Sequence, residues 1–182
     1  MAPAAAQELS TVPCEKQMTL AEVGDVDAQL EVGLAFETGR GAIRDDAEAA
    51  RWFRKAALQG NVEAQYHLAR LVSRGARGLK QDLPTAVKLY ADAAAKGQAQ
   101  AMNALGQIHQ TGEGAPVDIA IAAGWYRKAA DAGLADAANS LGMLHLEGKG
   151  VPRDLNAAFR LFESAAGSGD PWALNNLGGM YE

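Results

Sequence analysis

A repeat of about 36 residues is the feature that most limits what this chain can fold into. Similar segments start at Ala28, Ala64, Ala101 and Ala137, and a shorter fifth segment starts at Ala173. A full copy joins a first half such as A-A-N-S-L-G-M-L-H-L-E-G-K-G to a second half such as G-W-Y-R-K-A-A-D-A-G. The second copy carries one inserted residue between its glycines. Recurrence at a constant spacing predicts stacked supersecondary units rather than one central core.

Each unit has the pattern of two helices joined by short turns. Ala28, Val32 and Phe36 recur along one helical face, and a pair of glycines follows where that helix should end. Gly33 lies on this first helix, and we expect it to let the two helices of a unit pack closely. Its equivalents in the later copies are also small: Ala69, Gly106, Gly142 and Gly178.

Helix N-caps are predicted at recurring acidic and amide residues. An Asp shared by every full copy would cap the second helix, and Glu48 would complete a capping box in the first copy. These shared residues are Asp45, Asp82, Asp118 and Asp154. Asp25, Asn61 and Asp170 would cap first helices, and Pro171 suits a first helical turn.

The repeated residues resemble the Sel-one-like repeat (SLR) family, a relative of the tetratricopeptide repeat with a slightly longer unit. The family pattern is A-x-x-x-L-G-x-x-Y-x-x-G-x-G-V-x-x-D-x-x-x-A-x-x-W-Y-x-K-A-A-x-x-G, and Ala137 to Gly169 follows its first half closely. Departures are mild: Val72, His109 and His145 replace the family Tyr, and Leu89 and Leu161 replace the family Trp. The resemblance implies an all-α, right-handed α–α superhelix, or solenoid, of helix-turn-helix repeats.

The expected organisation follows the repeat starts. We expect a flexible N-terminal tail at 1–15, the end of a preceding helix pair at 16–27, repeats at 28–63, 64–100, 101–136 and 137–172, and a partial repeat at 173–182.

No residue pattern in the chain predicts catalysis or a bound cofactor. Cys14 lies outside the repeats with no His nearby in sequence. His109 and His145 occupy equivalent positions, but that position packs the core, and a metal site there lacks an identifiable carboxylate. The net charge of −5 argues against nucleic-acid binding, which needs concentrated Lys and Arg. No apolar run is long enough to predict a membrane span.

Surface recognition is the function that remains for an extended stack of helices. The third, seventh, tenth and eleventh positions of each first helix share one face, here called the inner face, which lines the concave groove in tetratricopeptide repeats. Asn residues at the third position form a potential ladder that could grip a peptide backbone, while Arg70 and Arg74 could bind a carboxylate. Candidate partner-binding residues are Tyr66, Arg70, Arg74, Asn103, Gln107, Asn139, Met143, Asn175 and, beside this face, the aromatic Trp172.

Three functional hypotheses follow. The first is a non-enzymatic scaffold or adaptor that binds an extended, partly acidic peptide or a partner surface on the concave face. The second is a bacterial cell-envelope module that contacts glycan or peptidoglycan and exopolysaccharide machinery, as the resemblance implies. The third, a β-lactam-binding hydrolase, is implied only by family members with paired cysteines, whereas this chain has a single Cys.

The two ends of the chain add expectations about location and assembly. The start, M-A-P-A-A-A-Q, has the composition of a flexible Ala/Pro tail; the alternative, the trimmed start of an exported protein, favours a periplasmic or secreted location. The last helix lacks a second helix to cover its apolar side. We expect either a fragment of a longer protein or self-association through this uncapped helix.

Overall fold

The computed structural model describes residues 15–75 and 78–180. The interpretations of Cys14 and the N-terminal tail fall outside these ranges. All ten elements in the described part are α-helices, which confirms the predicted all-α class. They are α1 Glu15–Glu22, α2 Val26–Thr38, α3 Asp46–Leu58, α4 Val62–Arg74, α5 Leu83–Ala95, α6 Ala99–Thr111, α7 Ile119–Asp131, α8 Ala135–Glu147, α9 Leu155–Gly167 and α10 Pro171–Met180.

The chain divides into two compact units, one up to Asp82 and one from Leu83 onward. Unit 1 contains α1 to α4, and unit 2 contains α5 to α10. Within each unit, every helix packs against the helices before and after it in sequence. Contacts between sequence neighbours are the packing scheme of a helical-repeat solenoid, so the predicted solenoid class is also confirmed. None of the described helices is long and apolar enough to span a membrane.

Side-chain caps start most helices where the sequence predicts them. Asp45 accepts from the backbone N–H groups of Ala47 and Glu48, at 2.9 and 3.0 Å. Asp118 and Asp154 each accept from the N–H three residues on. The same bond is made at the starts of α2 and α4 by Asp25 and Asn61, and Asp170 caps α10.

The capping box predicted at Glu48 is not formed. The backbone N–H of Asp45, which Glu48 would have to bind, instead donates to the carbonyl of Phe36 at 2.9 Å. Glu48 forms an ion pair with Arg51. The same backbone hydrogen bond recurs in the other full repeats, at 2.8 to 3.1 Å. The N–H of Asp82, Asp118 and Asp154 donates to the carbonyl of Val72, His109 and His145, respectively. This bond joins the turn to the preceding helix in every full repeat.

An aromatic ring from the second helix of a repeat lies against a glycine of the first helix. A Cβ atom added at Gly33 would lie 2.6 Å from the ring of Phe53. Added at Gly142, it would lie 2.6 Å from the ring of Phe162. Gly106 has the same relation to Tyr126. Real Cβ atoms do not approach so closely, so these glycines serve the close packing that the sequence predicts.

The core consists of small residues and a few large ones. In unit 2, one cluster combines the rings and branched chains of Tyr126, Leu141 and Leu144 with four alanines that are almost fully buried. In unit 1, Val32, Phe53 and Leu71 have no exposed surface. The high alanine content is therefore the composition of the contacts between helices.

Candidate partner-binding surfaces

The inner face of unit 1 holds a buried carboxylate, that of Glu37 on α2. Glu37 is only 6% exposed, although the sequence places it among the inner-face residues. Its Oε2 lies 2.8 Å from Nδ1 of His67, and its Oε1 lies 2.7 Å from Nη2 of Arg70. Both partners come from α4, so the contact joins two consecutive first helices. A carboxylate with so little exposure needs such partners to remain charged.

The charged partners control the titration of Glu37. Burial by itself raises the pKa of the Glu37 carboxyl, but the hydrogen bonds from His67 and Arg70 and their positive charges outweigh it. The pKa therefore lies below its ordinary value of 4.5. Burial likewise lowers the pKa of Arg70, and the bond and charge of Glu37 reverse that effect and raise it.

A second carboxylate, Asp46, lies beside this cluster at the start of α3. It is 7% exposed and pairs with Arg44 at 3.3 Å and with Arg74 at 3.4 Å. Arg74 also lies 3.9 Å from Oε1 of Glu37. Arg70 and Arg74, which the sequence presents as cations open to a partner, are thus already paired inside unit 1. Arg44 and Asp46 also border an open cavity of about 590 Å³.

Aromatic contacts fix the α4 side of the cluster. The imidazole of His67 stacks on Phe53 with 5.0 Å between ring centroids, and Tyr66 meets it edge-on at 5.4 Å. The guanidinium of Arg70 lies 5.7 Å from the centre of the Tyr66 ring. As whole residues, Tyr66 and Arg70 are only partly exposed, whereas Arg74 is exposed. The side chains of the two arginines are equally exposed, at 41%, but the ion pairs of Arg74, at 3.4 and 3.9 Å, are longer than the 2.7 Å pair of Arg70.

The inner face of unit 2 carries amide side chains in place of the charges. Nδ2 of Asn176 donates to Oδ1 of Asn139 at 2.8 Å, which links α10 to α8. The neighbouring Asn175 and also Gln107 are exposed. Oδ1 of Asn103 is buried without a hydrogen-bond partner. The Asn residues therefore differ in environment, although their spacing in the sequence is regular.

Met143 and Leu146 border a cavity of about 370 Å³ on unit 2. Leu155, at the start of α9, adds a third apolar side chain to its lining. The remaining lining comes from α10: Asn175, Asn176, Gly179 and Met180. The structure thus brings two of the predicted site residues, Met143 and Asn175, into one cavity.

Three other residues considered in the sequence analysis, Trp172, His109 and His145, do not line this cavity. The indole of Trp172 is 72% exposed at the start of α10. Nδ1 of His109 lies 3.4 Å from the carbonyl oxygen of Pro116, and Nδ1 of His145 lies 3.2 Å from that of Pro152. Both imidazoles therefore bind the turn seven residues on, which is a structural role.

Five polar residues of these surfaces were not predicted as partner-binding candidates: Glu37, Arg44, Asp46, His67 and Asn176. A departure from the repeat marks two of them. Asp46 stands where the other copies have Leu83, Ile119 and Leu155. Glu37 stands where they have Ser73, Gln110 and Leu146. Both positions are acidic in the first copy and apolar or neutral in the others, and the second copy carries two arginines on its first helix. This combination was the signal from which the ion pairs could have been predicted.

The fold defines the class of protein: a helical-repeat solenoid. The family model "Sel1 repeat" matches residues 26–61, 62–98, 99–134 and 135–170. The chain therefore belongs to the Sel1 repeat family, which is the Sel-one-like family of the sequence comparison.

Solved structures agree with this assignment. A protective antigen of uropathogenic Escherichia coli that displays an SLR fold is 39% identical, with a TM-score of 0.86, over 92% of this chain and 36% of that chain. A Sel1 repeat protein from Oxalobacter formigenes is 30% identical, with a TM-score of 0.86, over 92% of this chain and 68% of that chain. The chain thus spans about a third of the antigen's length. No curated protein gave a match.

Proposed function

We propose that this chain is an interaction module that holds an extended peptide segment of a partner protein on the inner face of unit 2. Sel1-repeat proteins generally mediate protein–protein interaction and typically act as non-catalytic scaffolds. The observation that carries the proposal is the cavity bordered by Met143, Leu146 and Leu155. An apolar side chain of the peptide occupies this cavity as an anchor.

The cavity has the size and chemistry for this role. Its volume of about 370 Å³ exceeds that of any single side chain, so it can hold an anchor and part of the flanking peptide. The flexible Met143 side chain adapts to different apolar anchors. Asn175 and Asn176 border the same cavity, and an amide both donates to and accepts from a peptide group. The amides bind the backbone, whereas the apolar wall selects the anchor.

The other inner-face amides extend this contact along unit 2. Gln107 is exposed on α6 and is available to a peptide. Asn139 binds through its Nδ2, because its Oδ1 already accepts from Asn176. Asn103 on α6 contributes through its Nδ2, because its Oδ1 is buried.

Unit 1 offers a separate proposed site, for an acidic side chain of a partner. An acidic side chain competes with Asp46 and Glu37 for Arg74, whose pairs are long, at 3.4 and 3.9 Å. Arg70 is held at 2.7 Å by Glu37 and contributes less. Tyr66, which packs against His67 and Arg70, borders this site, and Trp172 is an exposed aromatic contact on unit 2.

The alternative proposal is a cell-envelope module that contacts glycan or its biosynthetic proteins. One comparison favours it, since the Escherichia coli relative is a protective antigen. The amide-rich inner face of unit 2 also suits sugar hydroxyls, which donate and accept hydrogen bonds as peptide groups do. The apolar cavity favours the peptide over the glycan.

Selection from a phage-displayed library of random peptides tests the peptide proposal. Peptides that bind the wild-type chain should share one apolar anchor position, and Met143→Glu should weaken their binding by on the order of tenfold or more, because a charge enters the cavity. Ile121→Glu is the matched control, since Ile121 is a 46% exposed residue of α7 outside the cavity lining.

Selected peptides that bind Met143→Glu as tightly as the wild-type chain would show that the cavity is not the site. Soluble peptidoglycan fragments, tested on the same two variants, address the alternative. Saturable binding of these fragments, with no peptide selected, would replace the peptide proposal by the glycan one.

A further inference from the structure

A second cavity of unit 2, of about 420 Å³, is lined by the consecutive helices α7, α8 and α9. It is here called the arginine cavity, because Arg127 of α7 and Arg160 of α9 both border it. Leu141 of α8 and Leu161 of α9 give its lining an apolar part. It shares no residue with the cavity that contains Met143, so it is separate from the proposed peptide site.

The two arginines of this cavity have no acidic partner. Among residues 15–75 and 78–180, neither Arg127 nor Arg160 forms an ion pair. Arg70 and Arg74 of unit 1 differ, because each of them pairs with a buried carboxylate. A guanidinium is always charged and presents N–H donors in a fork that matches a carboxylate. The arginine cavity therefore offers two cations to an anion from outside.

His145 fixes the position of one of these guanidinium groups. Its Nδ1 lies 3.2 Å from the carbonyl oxygen of Pro152, which can only accept, so Nδ1 carries the ring proton. Nε2 is then an acceptor, and Nη2 of Arg127 donates to it at 3.4 Å. The imidazole is 9% exposed and neutral in this arrangement. It adds no charge, and it leaves the other N–H groups of Arg127 for a ligand.

The preceding repeat has the histidine but not the arginines. The positions equivalent to Arg127 and Arg160 hold Ala91 in α5 and Gly124 in α7. His109, the equivalent of His145, keeps its contact with the turn. The repeat therefore folds without arginines at these positions, and their presence in the arginine cavity is not a requirement of the scaffold.

The other charges of the lining favour a ligand with a single negative charge. Asp131 and Asp154 also border the cavity, and Oδ1 of Asp154 already accepts from the N–H of Ala157 as the cap of α9. The two aspartates balance the two arginines, so they would repel a phosphate dianion more than a carboxylate. The volume exceeds what a carboxylate alone fills, which leaves room for an apolar chain.

We propose that the arginine cavity binds a short aliphatic carboxylate. Its oxygens accept from Arg127 and Arg160, and its carbon chain lies against Leu141 and Leu161. A free small acid and the glutamate side chain of a peptide share this chemistry. The site acts independently of the peptide cavity on the inner face.

Titration of the full chain, followed by NMR of its ¹⁵N-labelled side chains, tests the site. The ligands are butyrate, as the free acid, and acetyl-Ala-Ala-Glu-Ala-Ala-amide, as the peptide. We expect saturable binding of at least one of them, with a shift of the His145 Nε2 resonance. Arg127→Gln and Arg160→Gln should each weaken that binding by on the order of tenfold. Both residues are exposed, so the fold tolerates the change.

Lys88→Gln is the matched control, since Lys88 is the exposed repeat equivalent of Arg160 on α5 and the same charge is lost. It should leave the affinity unchanged. Met143→Glu should also leave it unchanged, which separates this site from the peptide cavity. Butyramide and the peptide with Gln in place of Glu should not bind, because they carry no charge.

The two ligands distinguish the sources of the carboxylate. Binding of butyrate alone identifies a free acid as the ligand, and binding of the peptide alone identifies a glutamate side chain. Binding of neither ligand would overturn the proposal. Binding that survives both arginine substitutions, or equal binding of the neutral amides, would overturn it as well.

Discussion

Units 1 and 2 are built from the same helical repeat, yet their inner faces differ in what the side chains bind. In unit 1, Glu37 and Asp46 pair with arginines of α4, so much of the charge is neutralised within the unit. In unit 2, the equivalent region presents amides and an apolar cavity that includes Met143. The caps and ring contacts are the same in both units. The scaffold positions therefore set the fold, while the inner face is free to become either a stabilising ion cluster or a recognition surface.

The largest effect is expected from Glu37→Gln in unit 1. The neutral amide removes the anion that Arg70 and His67 share, so that His67 keeps only its 3.3 Å pair with Glu63, and this should lower the free energy of unfolding by about 3 kcal/mol. Urea denaturation measures the change, and Glu31→Gln, an exposed residue of the same helix, is the control. A loss no larger than that of the control would mean that the cluster does not stabilise unit 1.

The acid dependence of stability should depend on the same residue. Because the folded pKa of Glu37 lies below its ordinary value of 4.5, the unfolded chain binds this proton first. The contribution is fully present above that value and is lost as the pH falls through the lower folded pKa. Denaturation midpoints measured between about pH 6 and pH 3 should fall less steeply in Glu37→Gln than in the wild type. Parallel curves would contradict this assignment.

Gly33→Ala and Gly142→Ala test what the two units share. Each adds a Cβ at 2.6 Å from a fully buried ring, so each should cost about 2 kcal/mol despite the better helix propensity of Ala. Gly178→Ala should instead stabilise α10 by up to about 1 kcal/mol, since its Cβ meets nothing. Thermal denaturation distinguishes these signs. Equal effects at all three positions would show that ring contact is not what the glycines serve.

The smallest effect is expected from Ser140→Asn in unit 2. Ser140 is the repeat equivalent of Asn176, which donates to Asn139, and the Oδ1 of the corresponding Asn103 is buried without a partner. An amide at position 140 should supply that donor and stabilise the chain by about 1 kcal/mol. Ser140→Ala should give no such gain, and an equal gain from both variants would exclude the new hydrogen bond as the cause.

Local signals in the sequence were enough to predict the scaffold. The caps at Asp45 and Asp118 depend on residues two or three positions away. Gly142 and Phe162 lie in the two helices of one repeat, and the same two positions recur in the other repeats. Such features recur at a fixed spacing, so the helices, their starts and the solenoid class could be predicted from one chain.

The site was less predictable because it depends on contacts between repeats. Glu37 binds residues 30 and 33 positions away, and Asn139 binds Asn176, 37 positions away. Helical periodicity places these residues on a face, but it does not show which side chains across that face pair. The third-position ladder was therefore assigned by spacing alone, whereas the observed bond uses the fourth position in α10.

The hydrogen bond from each turn to the preceding helix has a consequence for how such a chain can change over time. The bond joins two backbone groups, so it does not depend on the side chain of the residue whose carbonyl accepts. In the four full repeats that residue is Phe36, Val72, His109 or His145. The second repeat closes in this way at 3.1 Å, from Asp82 to Val72, even though it contains one more residue than the others. The turn is thus a place where residues can be inserted or exchanged without shifting the register of the next helix. An engineer could graft a recognition loop there and leave both helices of the repeat intact.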